Sequence, residues 1–363
     1  MEDSHPLLLT VCCTSYNQVD YIRQCLEGIV MQRTSFRFEA VIHDDASTDG
    51  TQDIIREYAE KYPAIIKPIL QQENQFSKHD GSLRRILITA CKGKYTANLE
   101  GDDYWTDPLK LQKQVDFLES HPDYGMVRTN FSRYYQNENR LEPGMFESML
   151  NMTDTHQDYI LNARFAGPCT WVYRTEFDRN RPIFDTSRYF GGDLALVLEI
   201  SRLSKIKYLG DNTAVYRILG KSVSHMVSAE KTLLFLIRLK NTRLLYAKLQ
   251  PLGFRMKFWA TVCRSYRNKY KSAHRYKDWF KACATDFYEL LFHFLIFFAH
   301  NHFPKYCSNI IQALSISTSP LFFLKSTLRL FNLSSASSEV NLSSSNIISK
   351  PINFCENSIQ FSP

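Results

Sequence analysis

Hydrophobic positions in the first hundred residues follow two alternating patterns. Short runs of mostly apolar residues occupy 7–14, 38–43, 65–70 and 95–99, and such runs are typical of strands buried on both faces of a sheet. Residues 20–32, 52–62 and 83–91 instead repeat apolar side chains every three or four positions, as amphipathic helices do. The alternation of strand and helix predicts an α/β fold with a mainly parallel central sheet flanked by helices.

The pattern changes twice further along the chain. Helices are predicted after Pro108 and over residues 194–203, strands over 123–135 and 165–173, and a variable polar loop over 137–160. Beyond residue 226 a helix at 231–249 precedes a segment, 255–281, in which nine Lys or Arg residues interleave with aromatic ones. An apolar stretch at 287–299 is shorter than the roughly 20 residues that a membrane-spanning helix needs.

Charge supports a division of the 363-residue chain into three parts. Residues 1–225 carry a net charge of −5, and residues 226–363 carry +12. We therefore expect an α/β domain over 1–225, a basic aromatic helical extension over 226–330 that associates with a membrane or packs on the domain, and a disordered Ser/Asn-rich tail over 331–363. Nine cysteines without a CxxC motif, and an acidic N-terminus without a signal peptide, indicate a cytoplasmic protein.

Three polar clusters, TSYN, DDASTDGT and EGDDYW, each follow a predicted strand directly. Ligands of parallel α/β sheets bind beyond the carboxyl ends of the strands, so the three clusters should share one crevice. EGDDYW places three carboxylates within four residues, where like charges repel unless a cation compensates. Asp102 and Asp103 are hard oxygen ligands suited to Mg²⁺ or Mn²⁺ that also binds a substrate phosphate; the alternative is a solvated acidic turn.

The other two clusters suit a nucleotide. Asp44 or Asp45 could accept hydrogen bonds from a base or a ribose, and Tyr16 could stack on a base or simply cover the sheet edge. Arg84 or Arg85 could contact a phosphate or lie on a solvated helix face. Residues that can cap the following helix are Ser47, Asp49 and Thr51, and Asp20 is the expected N-cap of the preceding one.

Together, TSYN, DDASTDGT and EGDDYW resemble the inverting family 2 glycosyltransferases over roughly residues 7–225. The resemblance implies one nucleotide-sugar-binding domain that transfers a sugar from a nucleoside diphosphate, UDP in particular, to an acceptor hydroxyl. It also implies nucleotide contacts from the first loop, that is from Thr14, Tyr16 and Asn17. By the same resemblance Asp45 binds a uracil-type base, Asp102 lies near the ribose and metal, and Asp103 is the metal ligand.

The family uses a carboxylate as general base on a loop that opens a downstream helix. In FGGDLALVLE the matching residue is Asp193, which could equally be only the N-cap of the helix. The chain departs from the family in two places. GSLRRILITACKG replaces small residues before EGDDYW, and YRILGKSVSH stands where processive polymerising members have QxxRW. The second departure predicts one sugar per encounter, and His225 in that segment could approach the metal or diphosphate.

The basic aromatic segment suggests a lipid-linked or cell-surface glycan acceptor, because such a segment suits attachment to an anionic inner membrane face. Three alternatives stay open. A nucleotidyltransferase could share the fold, although SYNQVDYI replaces the glycine-rich loop and lysine expected of it. A nucleic-acid-binding protein would use the basic segment and leave the carboxylates without a role. A catalytically inactive scaffold is the third.

Overall fold

A computed structural model describes residues 6–144, 155–163, 167–190, 192–219 and 229–272. Its strands are β1 (Leu7–Ser15), β2 (Arg37–Asp44), β3 (Ile66–Leu70), β4 (Tyr95–Glu100), β5 (Tyr104–Trp105), β6 (Tyr124–Tyr135), β7 (Arg140–Glu142), β8 (Val172–Arg174) and β9 (Lys205–Ile218). Its helices are α1 (Ile22–Val30), α2 (Thr51–Lys61), α3 (Ser82–Ala90), α4 (Lys110–Ser120), α5 (His156–Asn162), α6 (Thr175–Asn180), α7 (Asp193–Leu203), α8 (Ala229–Ala247) and α9 (Leu252–Ser272).

The strands form one sheet in the order β3-β2-β1-β4-β8-β6-β9-β5, with β7 added beside β6. Strands β3, β2, β1 and β4 run parallel to one another, and β9 runs parallel to β6. The pairs β4–β8, β6–β8, β6–β7 and β5–β9 are antiparallel. The α/β class and the flanking helices are therefore as predicted, and the four N-terminal strands carry their loops to one edge of the sheet.

The core is made by alternating side chains of the parallel strands. Leu9, Val11 and Cys13 of β1 are fully buried in the main apolar cluster, together with Leu26 and Ile29 of α1. Each such side chain stabilises the fold by roughly 1.5–3 kcal/mol through removal of apolar surface from water. The intervening residues of β1 face the opposite side of the sheet, because successive side chains alternate. The polar residues at the strand ends therefore lie outside this apolar cluster.

Some sequence expectations for local structure are wrong. The 14-residue strand β9 was not anticipated, because its apolar positions are interrupted by Gly210-Asp211-Asn212, which resembles a turn, and its pairing with β6 is irregular there. The 165–173 strand shrinks to Val172–Arg174, preceded by a 3-10 turn at Pro168–Thr170. Residues 137–160, expected to be loop, contain β7 and the start of α5. The N-cap of α1 is Tyr21 and not Asp20.

The chain divides into two compact units, Met1–Tyr246 and Ala247–Pro363. In the first unit, α8 contacts both the segment before α7 and α5: the Phe190 N–H donates to Thr242 Oγ1 at 2.8 Å, and Arg243 Nε donates to the Ile160 carbonyl of α5. In the second unit, the rings of Phe258 and Trp259 meet edge to face within α9. Within the described part of the chain, no helix combines the length and apolar character needed to cross a membrane.

Several sequence expectations fall outside the described residues. They concern His225, the apolar stretch 287–299, the end of the basic segment 255–281 and the tail 331–363. The boundary expected at residues 225/226 stays a prediction. The helix expected at 231–249 is present as α8.

Candidate active site

Asp44 and its neighbours at the end of β2 form a fully satisfied hydrogen-bond cluster. The buried Asp44 carboxylate accepts from Ser15 Oγ at 3.0 Å, from the N–H and Oγ of Ser47 at 2.9 and 2.6 Å, and from Gln52 Nε2 at 2.8 Å. These donors come from β1, from the β2–α2 loop and from α2. Asp44 therefore fixes the ends of β1 and β2 and has no remaining role as a ligand contact.

Asp45, the next residue, points toward the loop after β3. Its carboxylate accepts the backbone N–H groups of Gln75 at 2.7 Å and Phe76 at 3.0 Å. An ionised carboxylate has about four acceptor positions, so two remain for a ligand. The side chain of Phe76 is 55% exposed beside this carboxylate. An aromatic face and an acceptor thus lie together at the end of β2.

The first loop is tied to the second. Asn17 adopts a left-handed backbone conformation (φ 52°), its N–H donates to Ser47 Oγ at 2.7 Å, and its Oδ1 accepts the Thr48 N–H at 2.9 Å. Asn17 therefore contributes to loop geometry. The neighbouring Tyr16 is 51% exposed and available for stacking. Thr14 is half-buried in register with Glu100, so these two side chains share one face of the sheet.

The carboxylate loop that follows β4, residues 100–103, is held by close backbone packing and by β9. A Cβ on Gly101 would come within 2.3 Å of Gln18 Oε1, so the Gln18 side chain would have to move to admit a larger residue here. The Asp103 N–H donates to the Glu100 carbonyl at 3.0 Å. Oδ1 of Asp103 accepts the backbone N–H of Arg217 at 2.8 Å. The loop is thus held by β4, which directly precedes it, and by β9, which lies more than 100 positions later in the chain.

The pKa values of the three carboxylates of this loop are all raised, chiefly by burial. Water reaches Glu100, yet protein surrounds its carboxylate on most sides, and this burial with the charges of Asp193 and Asp102 raises its pKa to about 8. Burial likewise raises the pKa of Asp102, although Arg217 opposes the shift. The pKa of Asp103, which is 2% exposed, is raised well above its usual range by burial and by Asp102 and Glu100.

Asp193 joins this cluster from the first turn of α7. It is half-buried, and burial raises its pKa to about 6, while the positive charges of Arg181 and Arg128 oppose the shift. Its charge is the second largest cause of the raised pKa of Glu100, so the two carboxylates are neighbours although 93 positions separate them. Gly192 holds the N-cap position, and Asp193 is the first residue of α7.

Arg84 lies apart from these carboxylates. Its guanidinium donates to the Pro182 carbonyl at 3.0 Å and to the Arg181 carbonyl at 3.1 Å, and it forms an ion pair with Asp178 at 3.4 Å. Burial lowers its pKa to about 10. The exposed Arg85 bonds the Asp80 carbonyl at 2.9 Å. Arg84 thus joins α3 to the segment after α6, and its contacts give no support to phosphate binding.

The carboxylate loop fits a divalent cation by the chemistry of its donors. Oδ1 of Asp102 and Oδ2 of Asp103 are buried without a hydrogen bond of normal geometry. Among the residues described, His, Cys, Asp and Glu side chains form no group of three or more arranged as a metal site. Mg²⁺ is commonly held by one or two carboxylates together with substrate phosphates, which such an incomplete set can supply.

Two residues of the site were missed in the sequence analysis. Glu100 was seen as part of EGDDYW but was not named as a ligand, although its position two residues before Asp102 at a strand end could have indicated it. Arg217 lies in YRILGKSVSH, to which the sequence analysis gave no contact with the carboxylate loop, and no local pattern shows that its N–H meets a loop 114 positions earlier. Both residues are brought to the loop by the pairing of strands in the sheet.

Comparison with known proteins decides the family. Residues 10–181 match the sequence profile described as Glycosyl transferase family 2. This region of the chain is a glycosyl transferase family 2 domain.

Two relatives set the extent of the similarity. An uncharacterized protein of Mycobacterium tuberculosis (strain ATCC 25618 / H37Rv) is 50% identical to this chain over 225 residues, which are 61% of the chain and 62% of that protein. The UDP-Glc:alpha-D-GlcNAc-diphosphoundecaprenol beta-1,3-glucosyltransferase WfaP of Escherichia coli is 31% identical over 141 residues, 39% of the chain and 51% of WfaP. The chain thus spans about three fifths of the first relative and half of the second.

A solved structure shares the fold. The crystal structure of S. aureus TarS 1-349 in complex with UDP-GlcNAc gives a TM-score of 0.56 with 20% identity, over 77% of this chain and 80% of that one. The chain therefore shares the fold of TarS.

Proposed function

We propose that this glycosyltransferase moves one sugar from a UDP-sugar to an acceptor hydroxyl with inversion at the anomeric carbon. The observation that carries the proposal is the meeting of the carboxylate loop with Asp193 beside the nucleotide-type loops of β1 and β2. The carboxylates of residues 100–103 suit a cation that also binds the diphosphate, and the carboxylate of Asp193 suits a proton transfer.

The donor nucleotide is proposed to lie over the ends of β1 and β2. Tyr16 supplies an aromatic face for the base, and the two remaining acceptor positions of Asp45 bind a base N–H. Thr14 contacts the nucleotide from the floor of the site, and Asn17 keeps the loop in place. WfaP, by its name, uses UDP-glucose, which supports a uridine donor here.

We place Mg²⁺ or Mn²⁺ on Asp102 and Glu100. Asp103, the main ligand implied by the resemblance, stays a candidate through its unbonded Oδ2, and its Oδ1 accepts the Arg217 N–H and so anchors the loop. When bound, the cation neutralises the charge that develops on the leaving diphosphate. Asp102 also lies at the position implied for the ribose.

Asp193 is proposed as the general base. Its pKa of about 6 leaves it mostly ionised at neutral pH and still basic enough to accept a proton. Its carboxylate takes the acceptor hydroxyl proton as the acceptor oxygen attacks the anomeric carbon. The bond from that carbon to the diphosphate oxygen breaks, and the electron pair leaves with UDP. A single displacement from the opposite face inverts the configuration.

The acceptor is proposed to be a lipid-linked or cell-surface glycan at the inner membrane face. WfaP's name gives a diphosphoundecaprenol-linked sugar as its acceptor. The basic aromatic segment 255–281, whose first part forms α9, would attach to anionic lipid headgroups and bring enzyme to acceptor. Such attachment would make the enzyme a peripheral membrane protein, and an acceptor of this kind would give it a role in polysaccharide biosynthesis.

The experiment is a donor panel with two variants. Thermal unfolding is followed with UDP-, GDP- and TDP-sugars in Mn²⁺ or EDTA, and a ligand at 100 times its dissociation constant adds about 2.7 kcal/mol of stability. We expect stabilisation by UDP-sugars in Mn²⁺, lost in Asp102→Asn and retained in Asp193→Asn.

Activity separates the remaining possibilities. With a diphosphoundecaprenol-linked acceptor, Asp193→Asn should reduce UDP release by about 10²–10⁴-fold, the usual contribution of a general base. Release of pyrophosphate in place of UDP would indicate a nucleotidyltransferase. No stabilisation by any donor in Mn²⁺ would overturn the proposed site.

A further inference from the structure

Arg217, near the end of β9, has an unusual set of contacts for a residue with no assigned role. It is buried, and its backbone N–H binds Oδ1 of Asp103 at 2.8 Å. Its side-chain Nε donates to the backbone carbonyl of Asp102 at 2.8 Å. One residue therefore holds both the main chain and a side chain of the carboxylate loop.

The far end of the guanidinium is fixed by two glutamines from different elements. Nη2 donates to Gln24 Oε1 of α1 at 2.6 Å, and Nη1 donates to Gln136 Oε1 after β6 at 2.5 Å. The planar fork of arginine can bind three acceptors in different directions at once, and the ammonium group of lysine cannot reproduce that geometry.

Three tyrosine rings complete the surroundings of the guanidinium. Its central carbon lies 4.8 Å from the ring centre of Tyr21 and 5.4 Å from those of Tyr104 and Tyr134. Aromatic faces attract a cation and exclude water from around it. The side chain is thus confined to one position, which makes it a rigid support for the loop it binds.

We propose, on the basis of the function proposed above, that Arg217 is the positioning residue that presents Asp102 and Glu100 to the cation and diphosphate. The Asp102 carbonyl bonded by Arg217 belongs to the same residue whose carboxylate is the proposed ligand. Loss of the fork releases the loop, so the carboxylates must be ordered anew on each binding event, and affinity falls by that cost.

The test compares Arg217→Met and Arg217→Lys with matched changes at Arg174. Arg174 also donates to backbone carbonyls, those of Tyr124 at 2.9 Å and Leu118 at 2.7 Å, and it lies 5.6 Å from the Tyr95 ring. It pairs with the first residue of β4, at the opposite end from the carboxylate loop. Arg174→Met and Arg174→Lys therefore reproduce the loss of packing without a change near the loop.

The readout is the Mn²⁺ concentration that gives half of the thermal stabilisation at saturating UDP, with the unfolding temperature of the metal-free protein beside it. We expect a rise of at least tenfold for Arg217→Met and a rise for Arg217→Lys as well, and no change for the Arg174 variants despite lower unfolding temperatures. Equal Mn²⁺ midpoints in all variants would overturn the proposal and leave the function intact. No Mn²⁺ or UDP effect on the unsubstituted protein would overturn both.

A second variant covers failure of the Arg217 variants to fold. Gln24→Leu with Gln136→Leu removes two acceptors of the fork at residues that are exposed and half-buried, and it keeps the arginine. We expect a smaller rise in the Mn²⁺ midpoint, about threefold. An unchanged midpoint in this folded variant would contradict the proposed support.

Discussion

The two acidic clusters at the ends of the parallel strands differ in how their charges are compensated. At the end of β2, Asp44 accepts four hydrogen bonds and Asp45 accepts two from backbone N–H groups. At the end of β4, the pKa values of Glu100, Asp102 and Asp103 are raised, and two carboxylate oxygens lack a normal hydrogen bond.

The difference distinguishes residues that build the site from residues that act in it. A carboxylate with several donors stabilises the folded chain, because each hydrogen bond to a charged group contributes about 1.5–3 kcal/mol. A crowded and poorly satisfied cluster weakens the fold, and it persists where a ligand compensates for it. Acidic residues in similar short motifs therefore have opposite effects on the stability of the fold.

Asp44→Ala should produce the largest effect. It removes the acceptor shared by Ser15, Ser47 and Gln52 and leaves buried donors without a partner, so the free energy of unfolding should fall by about 3 kcal/mol. Urea denaturation measures this change, with Asp53→Ala on the exposed face of α2 as control. A loss below about 1 kcal/mol would mean that the two clusters are alike.

The stability that the carboxylate loop contributes should fall as pH rises, which is opposite in sign to the pH dependence of a carboxylate whose pKa is lowered by hydrogen bonds. The pKa of Glu100 is 4.5 when the chain is unfolded and about 8 in the fold, so the folded protein binds the proton more tightly between these values. Stability in EDTA should therefore fall by a few degrees of unfolding temperature as pH rises from about 5 to 8.

Glu100→Gln should flatten that pH dependence, because the titrating group is removed, and Mn²⁺ with UDP should raise the unfolding temperature most at pH 8. Differential scanning calorimetry at fixed ionic strength measures both. A profile that Glu100→Gln does not alter would show that Glu100 is not the source of the effect.

Asp49→Ala should produce the smallest effect, and with the usual sign. Hydrogen bonds from Thr51 and Val19 lower the pKa of Asp49, against the effect of burial, so its contribution is present above its unfolded pKa and is lost as pH falls. The position is an exposed cap-type one, and we expect a loss of about 0.5 kcal/mol at pH 7. Denaturation at pH 7 and at pH 3 should give a smaller difference at pH 3; an equal one contradicts the assignment.

Much of the fold was predictable because it depends on local patterns. Buried strands β1 to β4 and the helices between them have clear periods, and their order predicts an α/β sheet whose loops meet at one edge. The strand β9 was not predictable in this way, since Gly210 and Asn212 interrupt its pattern and its partner β6 lies some 80 positions earlier.

The site residues divide in the same way, into those that local motifs predict and those that depend on distant contacts. TSYN, DDASTDGT and EGDDYW are short motifs, and their residues are where the sequence placed them. Within EGDDYW, Asp103 is held by the Arg217 N–H, and the pKa of Glu100 is raised by burial and by the charge of Asp193; both effects depend on residues far along the chain. The contacts of Arg84 with Pro182 and Asp178 depend on tertiary packing in the same way.

The bond between Asp103 and Arg217 also bears on the order in which the protein folds. During synthesis β1 to β4 emerge early and can pair with one another, but the N–H that anchors Asp103 is made 114 residues later. Contacts so distant in sequence are slow to form, because the long connecting chain must first be ordered. The carboxylate loop is therefore completed only after β9 has entered the sheet, so in a nascent chain this loop is among the last parts to reach its final arrangement.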